Sequence, residues 1–326
     1  MRKTGLSYML ITACVAHAGV LAFDAAAQSY PSRPIRIVVG FAAGGATDLS
    51  GRMVAQKLSE RLGQPVVVEN RAGASGMIAA QTVAKAPADG YMLLLTSASD
   101  TILPALRASL PYDLDRDFAP VSLVAGIPTV LVIHPSVPAR TLKELIAIAR
   151  VQPGRLSYGS SGVGASSHLA GELFNTLAKV SAVHVPYQGA SAFVLATAAG
   201  QIDMSFSSGA AALPVLNAGK VRALAVTTLK RAGSMPSIPT LDESGVPGYE
   251  YFNWNGVSAP AGTPRDIIAR LNAVIVEAVN TAEMKEAFAR QGLEAQTNTP
   301  EQFALLIRSQ IAQNAKLIKA TGAKPE

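Results

Sequence analysis

Apolar runs rich in Val, Ile and Leu alternate along this chain with stretches whose apolar residues recur every three or four positions. That is the grammar of strands covered by helices. IRIVVGF (35–41), PVVVEN (65–70) and YMLLLTS (91–97) predict buried strands. Between the first two, Val54, Leu58 and Leu62 form a helical stripe, and Gly63 is placed to cap its end. GMIAAQTVAKA predicts a helix stopped by Pro87, and SASDTILPAL opens another loop and helix. At VSLVAGIPTVLVIHP (121–135) the pattern restarts. TLKELIAIAR and HLAGELFNTLA predict helices, the latter striped by Leu169, Leu173 and Leu177. RLSYGSS, SAVHVPYQG, QIDMSFSS and VRALAVTT predict strands. A Pro/Gly/Ser-rich passage (233–264) follows, and the rest, from Pro264, reads as three helices. The expected architecture is α/β in two units, with a cleft at the C-terminal ends of the strands.

The first 27 residues stand apart. Arg2 and Lys3 precede an apolar run from Leu6 to Phe23, and Ala25, Ala26 and Ala27 supply the small residues of a signal-peptidase site. Cleavage after Ala27 leaves Gln28 first, 299 of the 326 residues, and predicts a periplasmic protein. The alternative, a lipoprotein signal ending on Cys14, needs a polar tether, yet VAHAGVLAF continues the apolar run. Cys14 is the only cysteine, so the mature chain carries no thiol. The formal charge of +6 becomes +5 once Arg2, Lys3 and Asp24 are gone. That excess is spread without Lys/Arg runs, which argues against nucleic acid and favours encounter with small anions.

Two loops carry the candidate chemistry. FAAGGATD, Phe41 to Asp48, joins a strand to a helix, where backbone N–H groups are free and the positive end of the helix dipole points outward. Gly44 and Gly45 allow close approach, and Thr47 or Asp48 is the expected N-cap. YGSSGVGASSH, Tyr158 to His168, repeats the grammar in the second unit and offers Ser160, Ser161, Gly164, Ser166 and His168. Neither loop has a Lys or Arg, so a bound anion would rest on amides, hydroxyls and water. Each charge-assisted hydrogen bond contributes roughly 1.5–3 kcal/mol.

GVGASS resembles a dinucleotide fingerprint but has Ser167 for the third glycine, and no acidic partner follows about 20 residues on. P-loop and nucleophile-elbow motifs are absent, so no cofactor and no catalytic residue is predicted. His134, His168 and His184 stand far apart without metal-ligand spacing, so no metal is predicted either. His134 and His184 read as packed or surface residues, and His168 as a helix start that orients the second loop. Phe41 and Tyr187 are candidate cleft walls, and Trp254 a core or hinge aromatic. Ser97, Ser207 and Ser208 sit at strand ends, where hydroxyls reach a ligand or cap the next helix.

From Tyr30 almost to the C-terminus the chain resembles the Bug (TctC-type) periplasmic receptors of tripartite tricarboxylate transporters. The matching stretches include YPSRPIRIVVGFAAGGATD, ENRAGASGMIAAQTVAKAPADGY, LPYDLDRDFAPVSLV, RLSYGSSGVGASSHLAGELF, HVPYQGAS, IPTLDESGVPGYE and WNGVSAPAGTP. The resemblance implies a type II Venus-flytrap fold with two crossovers. Domain 1 would be 28–127 plus 250–326, and domain 2 would be 128–249. It implies a small carboxylate ligand: a di- or tricarboxylate, an acidic amino acid or an aromatic carboxylate. The implied partners are permease subunits or, alternatively, a sensor kinase, with the receptor itself a monomer. On this basis the ligand-binding residues are expected to be Phe41, Gly44, Gly45, Thr47, Asp48, Ser97, Ser160, Ser161, Gly164, Ser166, His168, Tyr187 and Ser207. The chain departs from the family after YQG, where Ala192 and Ala196 stand at usual proline and aspartate positions and Phe193 is added. Asn314 replaces a frequent tryptophan in the last helix.

Overall fold

The computed structural model describes residues 30–107 and 109–321, so the predicted leader 1–27, with Cys14, lies outside the described residues. All elements below belong to one compact unit that begins at Arg33. Its β-branched runs form strands where the sequence predicted them. β1 (Ile35–Val39) lies between β2 (Val66–Asn70) and β3 (Met92–Ser97), parallel to both. The intervening helix, α1 (Ala46–Leu62), buries Val54, Leu58 and Leu62 and seats Gly51 against Leu95. Gly63 ends it in the left-handed conformation (φ 67°), its N–H donating to Ser59 O at 3.2 Å. α2 (Met77–Ala84) leads on to β3, a 3₁₀ turn (Ala98–Thr101) and a short helix, α3 (Leu103–Leu106).

The apolar run at 121–135, which the pattern gives as one stretch, is two strands in two sheets. β4 (Phe118–Gly126) belongs to the first and β5 (Thr129–Ile133) to the second, and Pro128, which cannot donate to a ladder, lies between them. The second sheet adds β6 (Ser157–Ser160), β7 (Val183–Pro186), β8 (Met204–Ser208) and β9 (Arg222–Val226), in the order β7-β6-β8-β5-β9. Its helices are α4 (Leu142–Val151), α5 (Ser166–Ala178), α6 (Ala190–Ala198) and α7 (Gly209–Asn217). In α5 the buried face is Leu169, Ala170, Phe174 and Ala178; Leu177 of the predicted stripe is exposed.

The return crossing delivers β10 (Trp254–Pro260), which the sequence pattern hid inside its Pro/Gly-rich passage. All seven of its residues are buried, and it runs antiparallel between β3 and β4. With the two-residue β11 (Glu294–Ala295) the first sheet has the order β11-β4-β10-β3-β1-β2. The two crossing segments pair side by side, Ile127 N–H donating to Asn253 O at 2.8 Å. Three helices follow: α8 (Arg265–Val279), α9 (Ala282–Arg290) and α10 (Pro300–Thr321). α10 serves both cores. Phe303 and Ile307 pack with Val38, Leu94 and Trp254, and Ile318 joins Tyr158, Phe174 and Phe206 under the second sheet. Asn314, buried between them, donates to Thr101 Oγ1 at 2.8 Å.

Gly256, in β10, lies under the Phe303 ring, and a Cβ there would stand 2.2 Å from Phe303 Cζ. Gly256→Ala should therefore cost about 1–3 kcal/mol in urea unfolding. Adding Phe303→Leu should recover part of that loss, and an unchanged midpoint in the single variant would contradict this packing.

Candidate ligand-binding site

The C-terminal ends of β1, β3, β6 and β8 open onto one cavity between the two sheets. It encloses about 890 Å³, its open mouth included. First-sheet connections contribute Phe41, Ala42, Ala43, Gly45, Ala46 and Thr47, with Ser97 at the end of β3 and Ser99 just beyond it. The second sheet contributes Ser161, Ser166 and Ser167, the segment Gln188–Phe193, Phe206 and Ser208. Ile127, Thr129 and Asn253, from the crossing segments, complete the wall. No lining side chain carries a formal charge.

The first loop is braced from behind by a buried carboxylate. Asp48 accepts from Gly44 N–H (3.0 Å), Arg52 Nε (3.0 Å) and Asn70 Nδ2 (2.8 Å), and Asn70 also donates to Phe41 O. Burial raises the Asp48 pKa, and the bonds from Arg52, Gly44 and Asn70 together outweigh it, holding the carboxyl below its usual range. The N-cap is Gly45 rather than the predicted Thr47 or Asp48, which fall within the first turn. A glycine cap offers no side-chain acceptor. The N–H groups of Ala46 and Thr47 therefore have no acceptor among the described residues, and both residues line the cavity.

The second loop differs from its expected role. Its amides are taken up by its own hydroxyls and by one imidazole. Ser161 N–H donates to Ser167 Oγ (3.0 Å), Gly162 N–H to Ser160 Oγ (3.1 Å) and Gly164 N–H to His168 Nδ1 (3.2 Å). Ser166 N–H crosses the cleft to Ser99 Oγ at 3.0 Å. The longer run of open amides in this lobe is at the start of α6. Its cap is Gly189 (φ 123°), and the N–H groups of Ala190, Ser191 and Ala192 have no acceptor among the described residues. All three residues line the cavity. Ser208 caps α7 without a side-chain bond to it, and its buried Oγ has no partner among the described residues.

His168 and His184, read as unrelated, lie with ring centroids 4.1 Å apart and planes tilted by 31°. The parallel pairing of β6 and β7 sets Tyr158 opposite His184, and His184 Nε2 lies 2.5 Å from Ser160 Oγ. Burial pushes His168 down to about 3, helped by His184, and pushes His184 down to about 4. Both are uncharged at neutral pH. They scaffold the loop from behind without adding charge to the cavity. Beneath Ser97 the buried Asp100 accepts from the Ser97 N–H (2.7 Å) and Oγ (3.0 Å), and burial pushes it up to about 6 despite those bonds.

The geometry agrees with sequence comparison. The model of the tripartite tricarboxylate transporter family receptor, TctC, matches residues 51–323. The chain belongs to the TctC receptor family. It is 42% identical over 292 residues to the UPF0065 protein in the tcbD-tcbE intergenic region of a Pseudomonas species, spanning 89% of this chain and 87% of that one. It is 38% identical to Protein BugT of Bordetella pertussis, over 95% of each chain. Among solved structures, Rpa4515 of R. palustris with adipate superposes with a TM-score of 0.88 at 36% identity, covering 91% of this chain and 100% of that one. MatC (Rpa3494) of Rhodopseudomonas palustris, with bound malate, gives 0.83 at 31% identity, covering 89% and 100%. This TctC-family chain therefore has the periplasmic-binding-protein fold, two α/β domains flanking a cleft.

In this receptor Phe41, Gly45, Thr47, Ser97, Ser161 and Ser166, of the expected site residues, line the cavity. Gly44, Asp48, Ser160, Gly164 and His168 stand behind it as loop supports, and Tyr187 walls an adjoining chamber with Phe41. Ser207 faces away, bonded to Ser205 Oγ at 2.9 Å; its neighbour Ser208 is the one at the cavity. Ser99, Thr129, Gln188–Ala192 and Asn253 went unpredicted. The only signal for the α6 start was glycine before a small-residue helix in YQGASA. Of the departures after YQG, Ala192 and Phe193 line the cavity, whereas Ala196 is core.

The histidine pair makes the receptor acid-sensitive. Unfolded, each imidazole returns to about 6.5, so the unfolded chain binds protons that the fold rejects. Stability should be full above about pH 6.5 and fall as pH drops toward 4. Asp100 acts oppositely, favouring the fold as pH falls from 6 toward 4. His184→Gln should flatten the acid limb in urea midpoints measured at pH 7, 5.5 and 4. A limb unchanged in that variant would assign the sensitivity elsewhere.

Proposed function

We propose that this chain is a non-enzymatic periplasmic solute-binding receptor. It closes two domains, 28–127 with 250–326 and 128–249, around a small carboxylate. It then presents that ligand to the permease subunits of a tripartite tricarboxylate-type transporter. The observation that carries this reading is the cavity's electrostatics. Helix starts from both lobes present amides without acceptors, Ser208 presents a hydroxyl without a partner, and no lining side chain has a charge. Such a surface favours an anion through the positive ends of helix dipoles. Nothing lining it offers a nucleophile paired with a base. His168, the nearest imidazole in sequence, accepts from Gly164 N–H behind the wall.

The family supports the same reading, since relatives of this fold are solved with adipate and with malate. Export through the leader 1–27 places the receptor in the periplasm, where its closed form meets the membrane subunits. Closure follows because ligand contacts to both lobes are complete only when the lobes meet, and only differential affinity shifts such a population.

A thermal-shift screen of protein stripped of carried ligand by unfolding and refolding tests the reading. The panel holds di- and tricarboxylates, acidic amino acids and aromatic carboxylates. A true ligand at about 100 times its Kd should stabilise by about 2.7 kcal/mol. Ser208→Ala should weaken it about tenfold, and Gly45→Leu, which fills the cavity at a cap with room for a side chain (φ −85°), should weaken it further. Both unliganded variants should melt within about 2 °C of the parent. A folded protein unresponsive to the whole panel would overturn the carboxylate assignment.

A further inference from the structure

A second chamber adjoins the cavity at Phe41. Phe41, Ala42, Ser161, Gln188 and Gly189 also wall this outer chamber, of about 1190 Å³, mouth included. Its remaining wall includes Leu103, Leu106 and Arg107 from one lobe, and Val163 and Tyr187 from the other. Arg107 is the one formally charged residue lining either chamber. It is exposed, and its guanidinium makes no hydrogen bond or ion pair among the described residues, whereas Arg33, Arg52 and Arg71 each pair with a carboxylate.

Arg107 also borders an outer groove containing Asp113, Asp115 and Asp117. Those carboxylates are already engaged. Asp113 accepts from the N–H groups of Asp115 and Arg116, Asp115 pairs with Arg308 at 2.7 Å, and Asp117 pairs with Arg116 at 2.9 Å. Asp100 is buried beneath Ser97, and it and Arg107 both bear on the buried Tyr112 hydroxyl, with opposite signs. The guanidinium thus remains uncommitted at the mouth of a charge-free cavity.

We propose that Arg107 and the outer chamber form a second anion subsite, taking the far acid of an extended ligand whose first carboxylate sits at the α1 and α6 starts. This rests on the carboxylate-receptor reading above. The shared wall of the two chambers sets Phe41, Ala42 and Gly189 beside the uncharged polar Ser161 and Gln188. The favoured class is therefore α,ω-dicarboxylates long enough to reach both subsites.

Titration calorimetry of the mature protein, expressed with its own leader, tests this. The ligands are dicarboxylates from succinate to suberate and the monocarboxylates of matching length. Arg107→Gln should weaken the best dicarboxylate about tenfold, the low end for a charge-assisted pair at an exposed site. The monocarboxylate of that length should change less than about twofold, and Arg107→Lys should restore part of the loss. Equal losses for mono- and dicarboxylates would reduce Arg107 to general attraction and overturn the subsite while leaving the receptor reading intact. So would dicarboxylate binding indifferent to Arg107. Failure of every carboxylate to bind the folded parent would overturn both.

Discussion

The arrangement depends on helix starts that are left without side-chain caps. Caps at Ser, Thr, Asp or Asn contribute about 0.5–2 kcal/mol, and α4 and α9, away from the cavity, have them. Thr141 and Glu144 form a reciprocal box at α4, and Thr281 Oγ1 accepts from Met284 N–H at α9. The α1, α5 and α6 starts at the cavity instead have Gly45, Ala165 and Gly189 as caps, and Ser208 turns its hydroxyl away from α7. The stability forgone there remains available to a ligand. Because these ends are dipolar rather than ionic, the cavity favours anions without the desolvation cost of a buried lysine or arginine.

The ionisable groups that brace the cavity loops stand behind its wall. Asp48 is neutralised by Arg52 and locks Asn70 and Gly44, fixing the loop that ends in α1. On the other lobe neutral imidazoles do the same work, His184 on Ser160 and His168 on Gly164. The lobes also touch directly. Ser75, held with Ala74 at positive φ (56° and 47°), donates to Val163 O at 2.7 Å, and Ser99 accepts from Ser166 N–H. Non-glycine residues in that region carry backbone strain, and here the strained turn makes a cross-cleft bond. α10 packs into both cores, and the two crossings pair at Ile127 and Asn253.

Much of the fold is legible because its signals are local. Strand runs, the α1 stripe and the Gly63 stop depend on near neighbours, and each appears where the pattern placed it. β10 was hidden because a central antiparallel strand buried on both faces needs no alternation, and Gly256 and Pro260 read as loop residues. Pairing of His168 with His184 depends on β6 lying beside β7, a register no spacing announces. Ser207 and Ser208 differ only in which face of β8 they occupy, and a period of two needs one known contact before it can be oriented. The second loop misled for a related reason. Its serines and His168, which suggested a ligand cradle, satisfy several of that loop's own amides, and a longer open run lies at Ala190–Ala192.

The central claim is that uncapped amides of two helices bind negative charge. The most direct measurement is calorimetry of the ligand-free protein with its best carboxylate and with the corresponding primary amide, which matches it in shape but carries no charge. Two or three charge-assisted bonds at roughly 1.5–3 kcal/mol each predict at least about a hundredfold preference for the carboxylate. Equal affinity for the acid and the amide would contradict the account, because the cavity would then be reading shape alone.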